Sequence, residues 1–541
     1  MLDCPTTLHQ VLLEGLVSSL RKWIVWTSTL AFGILATTGA IAGRHAEVSP
    51  LPIIEHTLPN GMRFLIVERR ESPTFSVYLR YAVGSANELP GRTGMAHLLE
   101  HMMFKGTTLF GTLDPERELP LLDKIDERHH ALQAEKSKAR SPGGKVDSAT
   151  VAALEREIAA FEAEAKKFVI RNELWELYRR NGAVRLNATT SREGTQYFVS
   201  LPNNRLELWA LLESDRMRNS VLREFYSERD VIQEERRQRV DTSAQGQLFE
   251  AALASAFVAL PYRHPVLGWP HELQNLTRPQ TREFFRTYYA PNNALGVLVG
   301  DLDPTRVIRI VERYFGSIPA QFIPPPPPFE EPPQLGERRI RIGFPAEPRL
   351  LMLYRIPAVG HQDMHALDVL GSLLGHGRTS RLYRNLVEER QLASSVSAGA
   401  WFMRQAGLFV IQATPRSPHP IDEVEAAIEE QFHRFHTEAP TSRELTRVRN
   451  QMDMMAVRNL GSNGGLASQL GEAWALTGDW RFAFEERRRI QAVTGEEVVQ
   501  AAKRYLVPRG RTVAWLVRDG PPVPRLPASP PGGGLQPWDV N

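Results

Sequence analysis

A segment near the middle of the chain returns near its end. Leu276-Thr277, Tyr288 and Pro291 lead into an apolar strand that runs to Gly300-Asp301. Val493-Thr494, Tyr505 and Pro508 lead into another that runs to Arg518-Asp519, and Thr, Tyr and Pro keep one spacing in both copies without a gap. A chain of 541 residues is too long for one core. The repeat therefore predicts two related units, each closing with a helix and a strand. Between them, Phe322-Ile323 leads into Pro324 to Pro328 and then Phe329-Glu330-Glu331-Pro332-Pro333. Such a run is a stiff, extended connector. The boundaries are a first unit over 50–320, a linker over 321–337 and a second unit over 338–519, with a Pro/Gly-rich tail over 520–541 that reads as disordered.

The first unit opens with strand, turn and strand across Glu55 to Glu68, turning at Leu58-Pro59-Asn60-Gly61, and Phe75 to Val83 alternates as a further strand. Gly94-Met95-Ala96-His97-Leu98-Leu99-Glu100-His101-Met102-Met103-Phe104 follows a turn-like Pro90-Gly91-Arg92-Thr93 and reads as a helix starting near Gly94. His97 and His101 then stand on one face, one turn apart, where two imidazoles can share a divalent metal such as zinc. Glu100 sits beside them, able to take a proton from a water held there. The order His-x-x-Glu-His inverts the commoner zinc-protease motif. A buried helix whose His and Glu are satisfied by neighbours would look the same. The deciding features are a third ligand and a strand to hold substrate.

The remaining segments offer candidates for both. Pro115 to Arg140 and Ser148 to Phe168 are charged amphipathic stretches broken by Ser141-Pro142-Gly143-Gly144, so about 115–178 reads as an inserted helical hairpin. His129 and His130 lie within it and read as solvated helix residues. Val184 to Val199 is β-rich with a turn at Glu193-Gly194; it is either an edge strand that can pair with an extended peptide or an ordinary hairpin. Arg205 to Arg218 is helical. In the next helix Ser227 is the expected cap, and Val231 and Ile232 are expected to face inward. Glu228 and Glu235, seven apart, share a face, so one of them can meet a metal; either is equally a solvated, salt-bridging residue.

Composition narrows the chemistry. The net charge of +3 gives no sign of a nucleic-acid partner. Cys4 is the only cysteine, which excludes intrachain disulfides and leaves a metal to His and carboxylate ligands. Arg21-Lys22 precede an apolar run from Trp23 to Ala42 that ends Ala40-Ile41-Ala42, the parts of a signal peptide, with an uncleaved membrane anchor as the rival over residues 1–42. Either way the body of the protein is expected to be exported: periplasmic, secreted, or tethered to the inner membrane.

Taken together, Gly94 to Thr107 with its His-x-x-Glu-His core, Asn187-Ala188 with Thr190-Ser191 and Tyr197-Phe198, and Glu228-Arg229-Asp230-Val231-Ile232 leading to Glu235 resemble the pitrilysin/insulinase-type zinc metallopeptidases. The likeness is strongest to the bacterial relatives of the mitochondrial processing peptidase. The resemblance implies an α+β fold. Two homologous α/β-roll halves, each a mixed, mainly antiparallel sheet flanked by helices, face one another across a cavity. It implies one Zn2+ per chain on His97, His101 and Glu235, with Glu234 as the neighbour most easily confused with the third ligand. It implies Glu100 as general base, Glu228 as a supporting carboxylate of the catalytic site, and Asn187 and Ala188 as the strand that receives a peptide or unfolded substrate. The long gap between His101 and Glu235 departs from the family and is taken up by the hairpin.

The second half holds a decayed copy of the motif, His365-Ala366-Leu367-Asp368-Val369, whose Val369 cannot bind zinc, so a metal-free half is expected. Many relatives supply an Arg and a Tyr to the substrate from this half; here those positions hold Val387 and Ser394. The resemblance therefore implies a homo- or heterodimer in which a partner completes the site. Two other readings remain: a non-catalytic core subunit of a hetero-oligomer, and a membrane-anchored protein that binds through its hairpin.

Overall fold

A computed structural model describes residues 52–519 apart from residue 327. The leader and the Pro/Gly-rich tail, with their expected export and disorder, lie outside the described residues. No helix among the described residues is long and apolar enough to cross a membrane.

Two sheets organise the chain. The first contains β1 (Ile53–Thr57), β2 (Arg63–Glu68), β3 (Thr74–Tyr81), β4 (Val184–Thr190), β5 (Thr195–Pro202) and β6 (Ala294–Gly300), in the order β1-β2-β6-β3-β5-β4. The second contains β7 (Arg338–Phe344), β8 (Arg349–Ile356), β9 (Ala393–Phe402), β10 (Gly407–Pro415) and β11 (Arg511–Arg518), in the order β7-β11-β8-β10-β9. Each has one parallel pair, β2–β6 and β7–β11, and is otherwise antiparallel. Strand for strand, β2-β6-β3-β5-β4 matches β7-β11-β8-β10-β9, and β1 is an addition to the first. The duplication read from Thr, Tyr and Pro is thus a duplication of topology.

The helices of the first half are α1 (Met95–Met102), α2 (Pro115–Ser137), α3 (Ser148–Ala165), α4 (Glu173–Arg180), α5 (Leu206–Asn219), α6 (Phe225–Arg236), α7 (Ala244–Ala256), α8 (Pro270–Asn275), α9 (Arg278–Tyr288) and α10 (Pro304–Phe315). Those of the second are α11 (Met364–Gly375), α12 (Ile421–Thr437), α13 (Ser442–Leu460), α14 (Asn463–Thr477), α15 (Phe482–Ala492) and α16 (Gly495–Tyr505). The repeated residues act alike in both halves. Thr277 caps α9 and Thr494 caps α16, each in a reciprocal capping box with Gln280 or Glu497. Pro291 and Pro508 then open the single turns that deliver β6 and β11.

The halves exchange helices. α7 lays Leu248, Ala252 and Leu253 against Leu351, Leu353 and Leu516 of the second sheet, while α14 packs on β3 and β6 of the first. Apolar burial of this kind, not the linker alone, fixes one half to the other. The linker is itself tethered: Glu331 accepts from the N–H groups of Val258, Ala259 and Leu260 and pairs with Arg355 at 2.6 Å.

Two local expectations need correction around α6. Ser227 does not cap it, because the helix already begins at Phe225. Leu222 and Glu224 take positive φ values of 54° and 55°, a tight turn that starts the helix early. The turn is held by Arg223, which is 1% exposed and bonds Glu118 of α2 and the carbonyls of Lys105, Thr107 and Phe110. Val231 faces outward at 51% exposure, whereas Ile232 is fully buried. Adjacent helical residues point about 100° apart, so only one of the two can face the core. α2 and α3 pack on each other, and α2 docks through Glu118 on Arg223 and through Asp123 and Asp126 on Arg278 of α9.

Candidate metal centre

α1 starts where the sequence places it. Gly94 adopts φ 88° with the Leu267 carbonyl 2.8 Å from where a Cβ would stand, so only glycine fits. The buried Glu88 carboxylate accepts from the N–H groups of Gly94 and Ala96, holding the helix's first turn. That turn directs His97 inward to 6% exposure, with His101 one turn on and the two ring centroids 4.8 Å apart.

α6 runs past this face and brings Glu235 to it. His97 Nε2 lies 3.8 Å from one Glu235 oxygen, and His101 Nε2 lies 3.5 Å from the other. Ligands about 2.1 Å from a tetrahedral zinc stand roughly 3.4 Å apart. The three side chains therefore fit one small cation with shifts of a few tenths of an ångström. Glu234 points elsewhere, paired with Arg237 at 2.6 Å on the exposed face. Two turns earlier on α6, Glu228 holds the back of the site. One oxygen lies 2.9 Å from His101 Nδ1 and the other 2.5 Å from Lys105 Nζ. A proton on Nδ1 bonded to Glu228 leaves Nε2 its lone pair, which is the tautomer a metal needs.

The electrostatics are divided between the two imidazoles. Burial, with His101 and Arg239 nearby, pushes His97 down to about 3, so its ring is neutral. Burial also acts on His101, but the bond to Glu228 and the charges of Glu235 and Glu100 outweigh it and raise its pKa. Glu228 is held down to about 2: burial opposes its charge, and His101 and Lys105 overcome that. Glu100 is 8% exposed, and burial raises its carboxyl against the pull of Thr190, whose hydroxyl donates to Oε2 at 2.6 Å. His97 differs from His101 in having no acceptor at its buried Nδ1 among the described residues; packing alone fixes that ring.

β4 is one of the two outer strands of the first sheet and packs beside α1. Its Asn187 and Ala188 pair with Phe198 and Tyr197 of β5 on one side, and they line a groove with His97, Glu100, His101 and the outward-facing Val231. All seven residues singled out in the sequence are thereby brought to one place. Three others were missed. Thr190 carried no assigned role, Lys105 bridges Glu228 to Glu224, and Arg239 pairs with Glu235 at 3.0 Å. Arg239 follows Glu235 by four residues on a helical path, the one signal that could have flagged it, whereas Lys105 lies beyond the end of α1 and meets Glu228 and Glu224 only through the tertiary fold. Val387 packs against the second core, and Ser394 Oγ donates to the Thr414 carbonyl, so neither position offers a cation or a phenol.

Residues 63–119 match the family described as Insulinase (Peptidase family M16), and residues 275–452 match the Peptidase M16 inactive domain. The chain belongs to the M16 peptidase family. Zinc protease PqqE of Helicobacter pylori is 26% identical over 89% of this chain and 96% of its own length. Mitochondrial-processing peptidase subunit beta of Lentinula edodes is 23% identical over 83% of this chain and 86% of its own length. The crystal structure of a protease from Helicobacter pylori superposes with a TM-score of 0.71 at 25% identity, covering 86% of this chain and 99% of that one. Within this M16 fold, two imidazoles and a carboxylate are a donor set that suits zinc.

Proposed function

We propose that this chain is a zinc-dependent endopeptidase that hydrolyses peptides or unfolded polypeptide segments. The observation that carries the reading is the convergence of His97, His101 and Glu235 on one point, with the buried Glu100 beside it and an open sheet edge alongside. His97, His101 and Glu235 would hold the zinc. When bound, the ion supplies Lewis acidity, which acidifies water and polarises a scissile carbonyl. Glu100 does the proton work. Thr190 occupies its Oε2, leaving Oε1 to take a proton from the attacking water and return it to the leaving amine. Its burial makes it a stronger base than a solvated carboxylate. Glu228 orients His101 and touches no substrate. The peptide extends the sheet by pairing with the Asn187–Ala188 backbone, which selects extended chains.

The names of the relatives support a zinc protease, and the word subunit in one of them supports a partnered assembly. Val387 and Ser394 favour a homo- or heterodimer whose partner contributes to substrate binding. The complete donor set argues against a purely structural subunit. Export rests on the leader from Trp23 to Ala42 alone.

The test is cleavage of an unfolded polypeptide by the purified full chain, before and after chelation and again after zinc is restored. Activity that vanishes and returns supports the proposal. Cleavage indifferent to chelation, or none from zinc-loaded protein with or without a homologous partner, contradicts it.

A further inference from the structure

The second half holds a group of side chains that the proposed reaction leaves unused. α11 follows β8 as α1 follows β3, and β8 and β3 are counterparts in the two sheets. His365 and Asp368 stand three apart, as do His97 and Glu100, and Val369 replaces the second histidine. α15, distant in sequence, supplies what Val369 lacks. A ring nitrogen of His365 and carboxylate oxygens of Asp368 and Glu486 lie within 4.8 Å of one another.

The surroundings leave this group without a conventional partner. His365 is 6% exposed, and its Nδ1 is buried with no hydrogen-bond partner. No hydrogen bond fixes that nitrogen beside the two acids, and Arg489 of α15 is engaged elsewhere. Arg489 itself bonds Glu485 at 3.4 Å. Asp368 and Glu486 are half-buried, and among the described residues neither has a hydrogen bond or an ion pair from a donor or cation. Desolvated like charges of this kind are costly unless a proton or a cation joins them. An unpartnered imidazole beside them offers a lone pair, which a proton shared between carboxylates does not use.

We propose that His365, Asp368 and Glu486 bind a second divalent cation, separate from the centre at His97, His101 and Glu235. One nitrogen and carboxylate oxygens, without thiolate, suit a first-row ion such as Zn2+ or Mn2+. Asp368 occupies the place of the base Glu100 in the repeat, so with Asp368 as a ligand the site keeps no base and its role is structural. The ion ties α11 to α15, which packs on α14, the helix that covers the first sheet. A metal in the half without the protease motif would thereby brace the half that carries it.

Metal content of the stripped and zinc-reloaded full chain is the test, by elemental analysis after gel filtration, with manganese as a second probe. Wild type should retain two equivalents of zinc. The variant His97→Ala/His101→Ala should retain one, and so should Asp368→Asn/Glu486→Gln. The latter variant removes buried charge, so its metal-free form should melt no lower than metal-free wild type while losing the zinc-induced rise in Tm. One equivalent in wild type and none in the His97/His101 variant would overturn the proposal. So would two equivalents in the Asp368/Glu486 variant. The readout is independent of cleavage, so it fails or succeeds separately from the protease reading.

Discussion

Removing Glu228 should weaken zinc binding without removing the machinery that cleaves. Its two oxygens hold His101 Nδ1 at 2.9 Å and Lys105 Nζ at 2.5 Å, and its side chain is 12% exposed. Loss of such a partner behind a ligating histidine typically costs 10–100-fold in metal affinity, about 1.4–2.7 kcal/mol. Glu228→Gln keeps an oxygen acceptor and should fall near the lower end. Glu228→Ala frees the ring and leaves Lys105 with only Glu224 at 3.6 Å, so it should fall near the upper end. The sign of the pH dependence follows from His101. Its pKa is raised, so below that pKa zinc must displace a proton, and affinity climbs with pH until the pKa is passed. Glu228 stabilises the proton as well as the metal, so its loss also weakens the competitor. The deficit of both variants should therefore be larger at pH 8 than at pH 6. Chelator competition measures the affinity, and kcat at saturating zinc should stay within a few-fold of wild type. Variants that hold zinc as tightly as wild type at pH 8 would refute the orienting role. A collapse of kcat at full zinc loading would show that Glu228 acts on substrate.

Two further outcomes follow from other contacts. Thr190→Val deletes the donor that holds down the Glu100 carboxyl, so the acid limb of the kcat/KM profile should move to higher pH. An unmoved limb would detach Thr190 from the base. Glu118→Ala breaks an ion pair whose members are 0% and 1% exposed, and buried pairs broken on one side lose roughly 3–5 kcal/mol. Arg223 keeps its bonds to three backbone carbonyls, which places the loss near 3 kcal/mol and should show as a clear fall in Tm. A loss below about 1 kcal/mol would mean that the hairpin is not anchored there.

What the sequence disclosed and what it hid divide along one physical line. α1, its start at Gly94 and the shared face of His97 and His101 are local consequences of helical spacing and one glycine. The repeat was readable because a Thr cap, a Tyr at the helix end and a Pro turn each act within their own few residues. The choice of Glu235 over Glu234 came from resemblance; the structure gives its physical basis, since Glu234 turns outward to Arg237. Tertiary relations stayed hidden. Thr190 is 90 residues from the Glu100 it bonds, and no pattern within β4 announces that contact. Ser227 looked like a cap because nothing local reveals that Arg223, buried against another helix, forces the turn at Leu222 to Glu224. The grouping of Glu486 with His365 and Asp368 arises only when α15 packs on α11.

The central claim is that Glu100 performs base catalysis at a metal held by His97, His101 and Glu235. The most direct measurement is the single-turnover cleavage rate of Glu100→Gln against wild type, with zinc content matched. Glutamine keeps the shape of the side chain and an acceptor for Thr190 but cannot take a proton. General-base catalysis contributes about 10²–10⁴-fold, so the variant should bind one full equivalent at this centre and cleave at least a hundred times more slowly. A variant that cleaves as fast as wild type at equal zinc would contradict the account.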